Sequence, residues 1–387
     1  MTISLLASSP NLRATDGYFE HGIGVKANGI GGAGVAYPQD SLAPGTNPAG
    51  DAFVGTRADF GLTYFRPDRG AELGGDFSGN GDPDFYIPEA GVNWKLGPKF
   101  TFGIALFGNG GLNTAYTKPI PALGTKPPGV DLEQVFLAPT LTYKITPQHA
   151  IGISPIIAYQ RFKAHGLQNF GINDPGYDNS YGGGVRVGYT GELTDWLTIG
   201  ATWQSRVYMS DLDRYKHLFA EHGNFDIPSN FAGGIAVRPI PKATIAFDVE
   251  RILFSEVNSV GNKVNGQTFA AGLGADDGPG FGWRDVTVYK IGGSYDLTDH
   301  LTVRAGYNYT TQPIPHDQTF FNILAPAVVQ HHITAGLTWR FSDNWELNAF
   351  YMHAFEERVE GSNNFNNANA NLHMQQDAFG LGLGYKF

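Results

Sequence analysis

Hydrophobic and polar residues alternate along much of the chain, and turn-forming residues interrupt the alternation repeatedly. The stretch near residue 300 shows the pattern clearly, since Leu301, Val303 and Tyr307 alternate with polar or small residues. Successive side chains of a β-strand point to opposite faces, so each such stretch is predicted to be a strand with one oily and one polar face. Fourteen strands are predicted, at approximately 54–66, 84–95, 99–108, 132–145, 149–163, 180–191, 196–209, 227–238, 242–255, 284–296, 300–311, 329–340, 344–356 and 376–387.

The connections between these strands alternate in length. Short turns, such as those at 193–195 and 297–299, alternate with long loops, such as those at 210–226 and 256–283. Outer-membrane barrels have short turns on one side and long loops on the other, and aromatic residues where their oily faces meet the bilayer surface. A soluble sandwich has the same strand period but would turn its oily faces inward. The prediction is an all-β protein, a fourteen-stranded antiparallel transmembrane β-barrel.

Composition agrees with a membrane barrel and argues against other classes. Only 16% of the 387 residues are charged, whereas glycine is abundant (52 residues) and aromatic residues reach 13%. No apolar run reaches the roughly 18 residues of a transmembrane helix, so none is predicted. The formal net charge of −10, without a basic patch, argues against a nucleic-acid partner. Cysteine is absent, which fits an oxidising compartment such as the cell envelope.

The stretch 17–50 is too rich in glycine for a helix and too irregular for a strand. It still carries apolar side chains, so it needs a container that buries them and supplies partners for its backbone. We therefore predict two parts, an N-terminal hatch at 1–52 that plugs the lumen and a barrel at 53–387. The first fifteen residues have a short apolar patch without a basic start, so no intact export signal is expected there.

Several motifs resemble the FadL/TodX family of outer-membrane transport proteins for hydrophobic compounds. In the hatch they are Gly17-Tyr18-Phe19, the glycine run at 29–34, and Asn47-Pro48-Ala49; further similarities lie at 111–116, 247–257 and 304–309. The resemblance implies a monomer in the outer membrane of a Gram-negative bacterium, surrounded by lipid and lipopolysaccharide. It also implies passive uptake of long-chain fatty acids or aromatic hydrocarbons, without a cofactor and without catalysis. The loop at 164–179 departs from the family, being shorter than the helical loops that form its surface groove.

Asn109-Gly110-Gly111 stands near the end of the third predicted strand, and glycine pairs in strands mark bulges or bends. The family resemblance implies that a kink here opens the barrel wall, so that cargo leaves sideways into the membrane. It also implies a pocket between hatch and wall, for which position suggests Phe19, Ile23, Val25, Ile30, Phe107 and Leu112. Asn47, Pro48 and Ala49 are predicted to anchor the end of the hatch to the wall.

Other interpretations of the motifs are weaker. Gly29, Gly31 and Gly34 match a dinucleotide fingerprint, but Pro38 and Pro44 forbid the helix that should follow. The adjacent His331 and His332 would face opposite sides of a strand, so no metal site is predicted. Acidic pairs at 82–84, 174–178 and 276–277 are expected to be solvated loop residues rather than cation sites. The alternatives left open are a porin for small polar solutes and a surface adhesin or structural barrel; nothing points to an outer-membrane hydrolase.

Overall fold

A computed structural model describes residues 16–387. The expectation about an export signal concerns residues 1–15 and lies outside this range. Fourteen long strands form one sheet, and two short strands, Asp76–Ser78 and Tyr208–Met209, extend it. The long strands are β1 (Arg57–Glu72), β2 (Phe85–Lys95), β3 (Phe100–Ala115), β4 (Gly129–Lys144), β5 (His149–His165), β6 (Asp178–Thr194), β7 (Leu197–Gln204), β8 (Asn230–Ile240), β9 (Ala243–Ile252), β10 (Val286–Thr298), β11 (Leu301–Thr310), β12 (His331–Arg340), β13 (Trp345–Val359) and β14 (Asn371–Lys386).

The sheet closes on itself. Each long strand is antiparallel to its neighbours in the chain, and β14 pairs with β1 from Arg57 opposite Lys386 to Glu72 opposite Asn371. Closure removes the free edges at the two ends of the sheet, to which lipid could supply no hydrogen-bond partners. The predicted fourteen-stranded antiparallel barrel is confirmed.

The alternation in the sequence becomes an oily outside and a polar or small inside. On β14 the side chains of Phe379, Leu381 and Leu383 are 46%, 47% and 40% exposed, while glycines alternate with them on the inner face. Trp196, Trp339 and Trp345 are exposed near the short turns. No helix within residues 16–387 has the length and apolar character needed to cross a bilayer.

Several strands run further than predicted on the side of the long loops. β1 reaches Glu72, β3 reaches Ala115 and β14 already begins at Asn371. The extensions of β1 and β14 pair with each other and that of β3 pairs with β4, beyond the alternating segments, so the hydrophobic pattern could not show them. The predicted strand at 196–209 is shorter, because the chain leaves β7 after Gln204 and only Tyr208–Met209 pairs again.

The helices of the described residues are short, and they belong to the hatch and the loops rather than to the barrel wall. They are α1 (Val25–Asn28), α2 (Asp51–Val54), α3 (Ala220–Gly223), α4 (Asn258–Gly261) and α5 (Gly266–Ala271), with 3₁₀ turns at Ala43–Gly45, Pro48–Gly50, Gln168–Phe170, Asp213–Tyr215, Phe254–Glu256, His316–Gln318, Phe321–Ile323 and Phe365–Asn367. The described residues before β1, 16–56, occupy the lumen, and we call this segment the hatch. The predicted boundary at 52/53 falls inside α2.

Carboxylates on the inner wall hold the turns of the hatch by its backbone. Glu89 accepts hydrogen bonds from the N–H groups of Gly24 (3.0 Å) and Val25 (2.9 Å). Asp248 accepts from those of Gly34 (2.7 Å) and Val35 (2.9 Å). A segment that is neither helix nor strand has many unpaired N–H groups, and these charge-assisted bonds satisfy several of them. Two polar residues of the wall thus specify the path of a glycine-rich segment.

Candidate functional site: a side window, a hatch tip and two cavities

Strand β3 carries a one-residue bulge at Asn109. Gly108 pairs with Val135 and Gly110 with Gln134, so Asn109 is the extra residue. Its side chain donates to Gln134 (3.0 Å) and its carbonyl accepts from the N–H of Glu20 in the hatch (3.1 Å). An extra residue bends a strand and disrupts its ladder. The bulge therefore lies where the glycine pair predicted it, and it directs β3 toward the hatch.

The first described residues of the hatch, 16–20, form its tip and pair with this bulge. The N–H of Gly111 donates to the carbonyl of Tyr18 (2.9 Å), and Phe19 forms an antiparallel bridge with Gly110. A Cβ atom on Gly110 would lie 1.8 Å from the Tyr18 carbonyl oxygen. Only glycine allows two backbones to approach this closely. Gly110 is thus required by the hatch tip, in addition to its place in the bulge.

Beyond the bulge the wall between β2 and β3 is not continuous. The two strands pair from Lys95 opposite Thr101 to Ala90 opposite Leu106, and no ladder pairs are found between 85–89 and 107–114 in the described chain. Pairing resumes at Ala115, which exchanges hydrogen bonds with Gly79 (3.0 Å) and Gly81 (2.8 Å) in the loop after β1. We call this gap the side window.

The rim of the side window is largely apolar. Phe85, Ile87 and Phe107 are buried on its inner side, while Tyr86 and Leu106 are exposed on the outer face. Pro88 lies in the part of β2 that pairs with β1 but not with β3, and proline has no N–H group that could be left without a partner. A gap rimmed in this way presents few polar groups to lipid.

Arg69 closes the upper end of the window. This fully buried side chain donates to the backbone and side-chain oxygens of Asn113 (both 2.9 Å) and to the carbonyl of Asp82 (3.1 Å), and its guanidinium lies 5.8 Å from the ring centre of Phe85. It therefore joins β1, the following loop and β3 across the end of β2. The planar fork of arginine suits such a multiple contact.

An inner cavity lies between the hatch and the wall, and most of its lining is polar. Phe19, Ile23 and Phe107 contribute apolar surface; the polar lining includes Glu20, Asn109, Arg186, Asp248, Glu250 and Lys290. Lys290 pairs with Glu250 (2.8 Å), and Arg186 donates to the backbone carbonyls of Pro44 and Gly45 in the hatch. The Arg186 Nε and one oxygen each of Glu20 and Asp248 have no partner among the described atoms. This chemistry suits water and disfavours an oily solute.

Two titratable groups of the hatch have shifted pKa values: Glu20, which lines this cavity, and its neighbour His21. Burial, with the carboxylate of Glu89 nearby, raises the pKa of Glu20 well above its ordinary value. Burial and the positive charge of Lys290 lower the pKa of His21 to about 3. His21 is therefore a neutral imidazole at physiological pH, and it stacks on His332 of the wall at a ring distance of 6.1 Å.

An outer cavity of similar empty volume, about 510 Å³ against about 560 Å³, has the opposite chemistry. It lies among five long loops and is lined by Leu123, Val130, Phe162, Leu167, Phe170, Leu218, Phe219, Ser259, Leu273, Pro279, Gly280, Phe281, Phe321 and Leu324. Ser259 is the only polar side chain among the described residues of this lining, and its hydroxyl donates to the carbonyl of Asn224 (2.5 Å). The short loop at 164–179 contributes Leu167 and Phe170, so it takes part in a cavity without a long helix.

An aromatic cluster separates the two cavities. Tyr18 of the hatch tip is fully buried, with ring centres of Phe225, Phe254 and Trp283 between 5.1 and 6.1 Å away. Phe19 also contacts Phe254 at 5.7 Å, edge to face. Such rings contribute both burial and favourable edge contacts. The hatch tip therefore fills the centre of the barrel where the loops meet the wall.

The end of the hatch rests against β4, β5 and β6 of the wall. The Asn47 amide donates to the carbonyls of Val35 (2.7 Å) and Tyr189 (2.9 Å) and to the hydroxyl of Thr190 (3.0 Å). The carbonyl of Pro48 accepts from Thr142 (2.8 Å). Glycines make room for this contact: a Cβ on Gly188 would lie 2.0 Å from Asn47 Oδ1, and a Cβ on Gly152 would lie 2.4 Å from the Pro48 carbonyl carbon. Ala49 is fully buried beside them.

A family model described as outer membrane protein transport protein (OMPP1/FadL/TodX) matches residues 47–387. The chain belongs to this family. It therefore lies in the outer membrane. A 47 kDa outer membrane protein of Pasteurella multocida is 32% identical over 111 residues, a match that spans 27% of this chain and 23% of that protein.

Solved structures of the OMPP1/FadL/TodX family share the fold. A FadL homologue of Pseudomonas aeruginosa superposes with a TM-score of 0.74 at 17% identity, covering 96% of this chain and all of that one. The toluene transporter TodX of Pseudomonas putida gives 0.74 at 18% identity, covering 96% of this chain and 100% of that one. The toluene transporter TbuX of Ralstonia pickettii gives 0.69 at 18% identity, with 95% and 99% covered. Identities this low show the fold alone.

The structure of this family member separates the six residues suggested for a hydrophobic pocket. Phe19, Ile23 and Phe107 meet at the inner cavity, and Leu112 lines a small cavity beside the side window. The Val25 side chain packs on Gly382 of β14, and the Ile30 side chain packs in a cluster with Ala236 and Ala246; neither residue lines these cavities. The outer cavity was missed, because most of its residues come from five loops without a periodic pattern. Its signal in the sequence was the presence of Phe and Leu in long loops that should be polar.

Proposed function

We propose that this protein carries uncharged hydrophobic compounds across the outer membrane by diffusion, with lateral release through the side window. The observation that supports this most is the contrast between the apolar outer cavity and the polar inner cavity. An oily solute entering from the loops finds apolar contact as far as the aromatic cluster. Beyond it, the charged lining of the inner cavity opposes its passage toward the periplasm.

The side window offers the remaining way out. It opens beside the hatch tip, its rim is apolar, and it faces the hydrocarbon of the membrane. Burial of apolar surface stabilises a bound solute by about 0.8 kcal/mol for each methylene-sized group. A solute moving from the outer cavity to lipid remains in apolar surroundings throughout, so no energy source is needed. The named relatives TodX and TbuX are toluene transporters and CymD is a monoaromatic hydrocarbon channel, which supports a cargo of the same kind.

The lining of the outer cavity favours an uncharged cargo over a fatty-acid anion. No basic side chain lines it among the described residues, and the hydroxyl of Ser259 is already engaged. A carboxylate brought into such a cavity would lose its hydration without gaining a partner. We therefore expect toluene to be taken up faster than octanoate at neutral pH.

Deletion of Asn109 tests lateral release. The deletion removes the one extra residue of the bulge and restores regular pairing between β3 and β4. The matched control, Asn109→Ala, keeps the bulge and removes only the side-chain bond to Gln134. The assay is uptake of labelled toluene by a bacterium that lacks its own transporter and expresses each variant, with outer-membrane levels checked on gels.

We expect the intact protein and Asn109→Ala to speed toluene uptake and the deletion variant to fail. If the deletion variant retains full uptake, lateral release is wrong. If no variant speeds toluene uptake but a small sugar enters faster, the protein is a polar channel. Octanoate uptake equal to that of toluene at pH 7 would contradict the preference for uncharged cargo and leave the transport proposal standing.

A further inference from the structure

A segment of the loop between β11 and β12, residues 321–328, separates the outer cavity from the side window. Phe321 and Leu324 line the outer cavity. The next three residues, Ala325, Pro326 and Ala327, line the small cavity beside the window, together with Leu112 and Asn113 of β3. Consecutive residues of one segment thus face the two ends of the proposed path. We call this segment the partition.

The partition is fixed at both ends by side chains. Near its start, Asn322 accepts a hydrogen bond from the indole of Trp283 (2.6 Å) and donates to the carbonyl of Phe281 (2.7 Å). At its end, the carbonyl of Val328 accepts from Gln312 (3.0 Å). Between these points, two hydrogen bonds among the described residues join the partition to the loop-side end of β3 and to the residue directly after it. The hydroxyl of Tyr116 donates to the carbonyl of Ile323 (2.7 Å) and that of Thr114 to the carbonyl of Leu324 (3.0 Å).

We propose that the partition is the door between the outer cavity and the side window, and that Thr114 and Tyr116 are the positioning residues that hold it closed. This inference rests on the proposed function. Thr114 is the last residue of the stretch of β3 that does not pair with β2, and Tyr116 follows β3 directly. A shift of this end of the strand therefore withdraws both hydroxyls from the partition.

The internal bonding of the partition allows it to move as a unit. The N–H groups of Leu324 and Ala325 bond to the carbonyls of Phe321 (3.1 Å) and Asn322 (3.1 Å) within the same segment. Opening breaks the hydrogen bonds from Thr114 and Tyr116 and separates apolar side chains. An oily solute replaces the lost apolar contacts. A hydrogen bond between a hydroxyl and a buried carbonyl contributes only modestly to the closed state, so the door is held weakly enough to open.

Substitution of the two hydroxyls tests this role. The variant Thr114→Val,Tyr116→Phe keeps the shapes of both side chains and removes both donors. Loss of each bond shifts a closed–open equilibrium by roughly two- to tenfold, so we expect toluene uptake to rise several-fold. Thr114→Ser, which retains a hydroxyl, should keep the intact rate. The mobility of the folded barrel on unheated gels should be the same in all variants, which separates positioning from a general loss of structure.

A cross-link provides the opposite test. Because the sequence contains no cysteine, an introduced pair cannot form a disulfide with any native residue. The pair Thr114→Cys and Ala325→Cys joins β3 to the partition when oxidised, with bond formation checked by mass spectrometry. Oxidation should stop toluene uptake and a reductant should restore it, while each single-cysteine variant stays active. If toluene uptake is unchanged both in the double hydroxyl variant and after cross-linking, the proposal that the partition acts as a door is wrong. If the intact protein itself does not speed toluene uptake, the proposed function fails instead.

Discussion

Replacement of Asn47 by alanine should loosen the hatch without affecting the barrel wall. The Asn47 amide donates to two backbone carbonyls, those of Val35 and Tyr189, and to the hydroxyl of Thr190. Its own oxygen accepts from the N–H of Ala49 (3.1 Å). The side chain is only 1% exposed, so water does not readily replace these partners. All four bonds link the end of the hatch either to itself or to β6.

The magnitude follows from the bonds that are lost. Each contributes about 1 kcal/mol net, and a buried carbonyl left without a donor costs about 1–3 kcal/mol. The amide has two hydrogens for its three acceptors, and only the bonds to Tyr189 and Thr190 join the hatch to the wall, so undocking becomes easier by about 2 kcal/mol. Because about 1.4 kcal/mol corresponds to a tenfold change, the undocked hatch should become about thirtyfold more populated.

Ion conductance of the purified protein in planar lipid bilayers measures this population, since ions pass the lumen only when the hatch moves. Asn230→Ala is the matched control: Asn230 is similarly buried (3% exposed) on the inner wall, but its amide nitrogen has no hydrogen-bond partner. We expect frequent openings for Asn47→Ala and few for the control and the intact protein. Equal, rare openings in all three would refute the argument that Asn47 anchors the hatch.

Three further perturbations have clear directions. Gly110→Ala places a Cβ 1.8 Å from the Tyr18 carbonyl, so the hatch tip should detach from β3 and become sensitive to added protease. Arg69→Met keeps an apolar stem and removes the bonds at the upper end of the window, so the barrel should convert to its heat-unfolded gel form at a temperature several degrees lower. Burial, with the nearby carboxylate of Asp40, raises the pKa of Asp51 well above its ordinary value of 3.8. A raised folded-state pKa favours the docked hatch fully below about pH 3.8, and this contribution is lost as the pH rises toward the raised pKa. Openings of the intact protein should therefore increase with pH, whereas Asp51→Asn should show few openings at any pH.

Each of these three predictions would be contradicted by a specific result. Protection of the Gly110→Ala tip from protease equal to that of the intact protein would mean that the tip does not depend on close approach to β3. A Gly233→Ala variant serves as its control, since a Cβ there meets nothing within 4 Å. An unchanged unfolding temperature for Arg69→Met would show that the guanidinium adds nothing to the wall. Identical pH profiles for Asp51→Asn and the intact protein would show that Asp51 does not ionise in this range.

The local alternation of residues in the sequence was sufficient to predict the barrel wall. A residue on a barrel strand has one face in lipid and one in the lumen, so the alternation of Leu301, Val303 and Tyr307 with polar neighbours determines which side is which. The even number of strands and the alternating loop lengths follow from the same local signal. The bulge at Asn109 also has a local cause, because a glycine pair does not support a regular ladder.

Only the tertiary structure decided where the hatch side chains lie. Ile30 and Phe19 are both apolar and close in sequence, yet the Ile30 side chain packs with Ala236 and Ala246 while Phe19 lines the inner cavity beside the bulge of β3. The hatch has no repeating secondary structure, so its path depends on individual wall carboxylates such as Glu89 and Asp248. The outer cavity and the partition likewise arise where loops distant in sequence meet. Periodicity determines the face of a strand residue, but contacts between non-periodic segments exist only once the closed barrel brings them together.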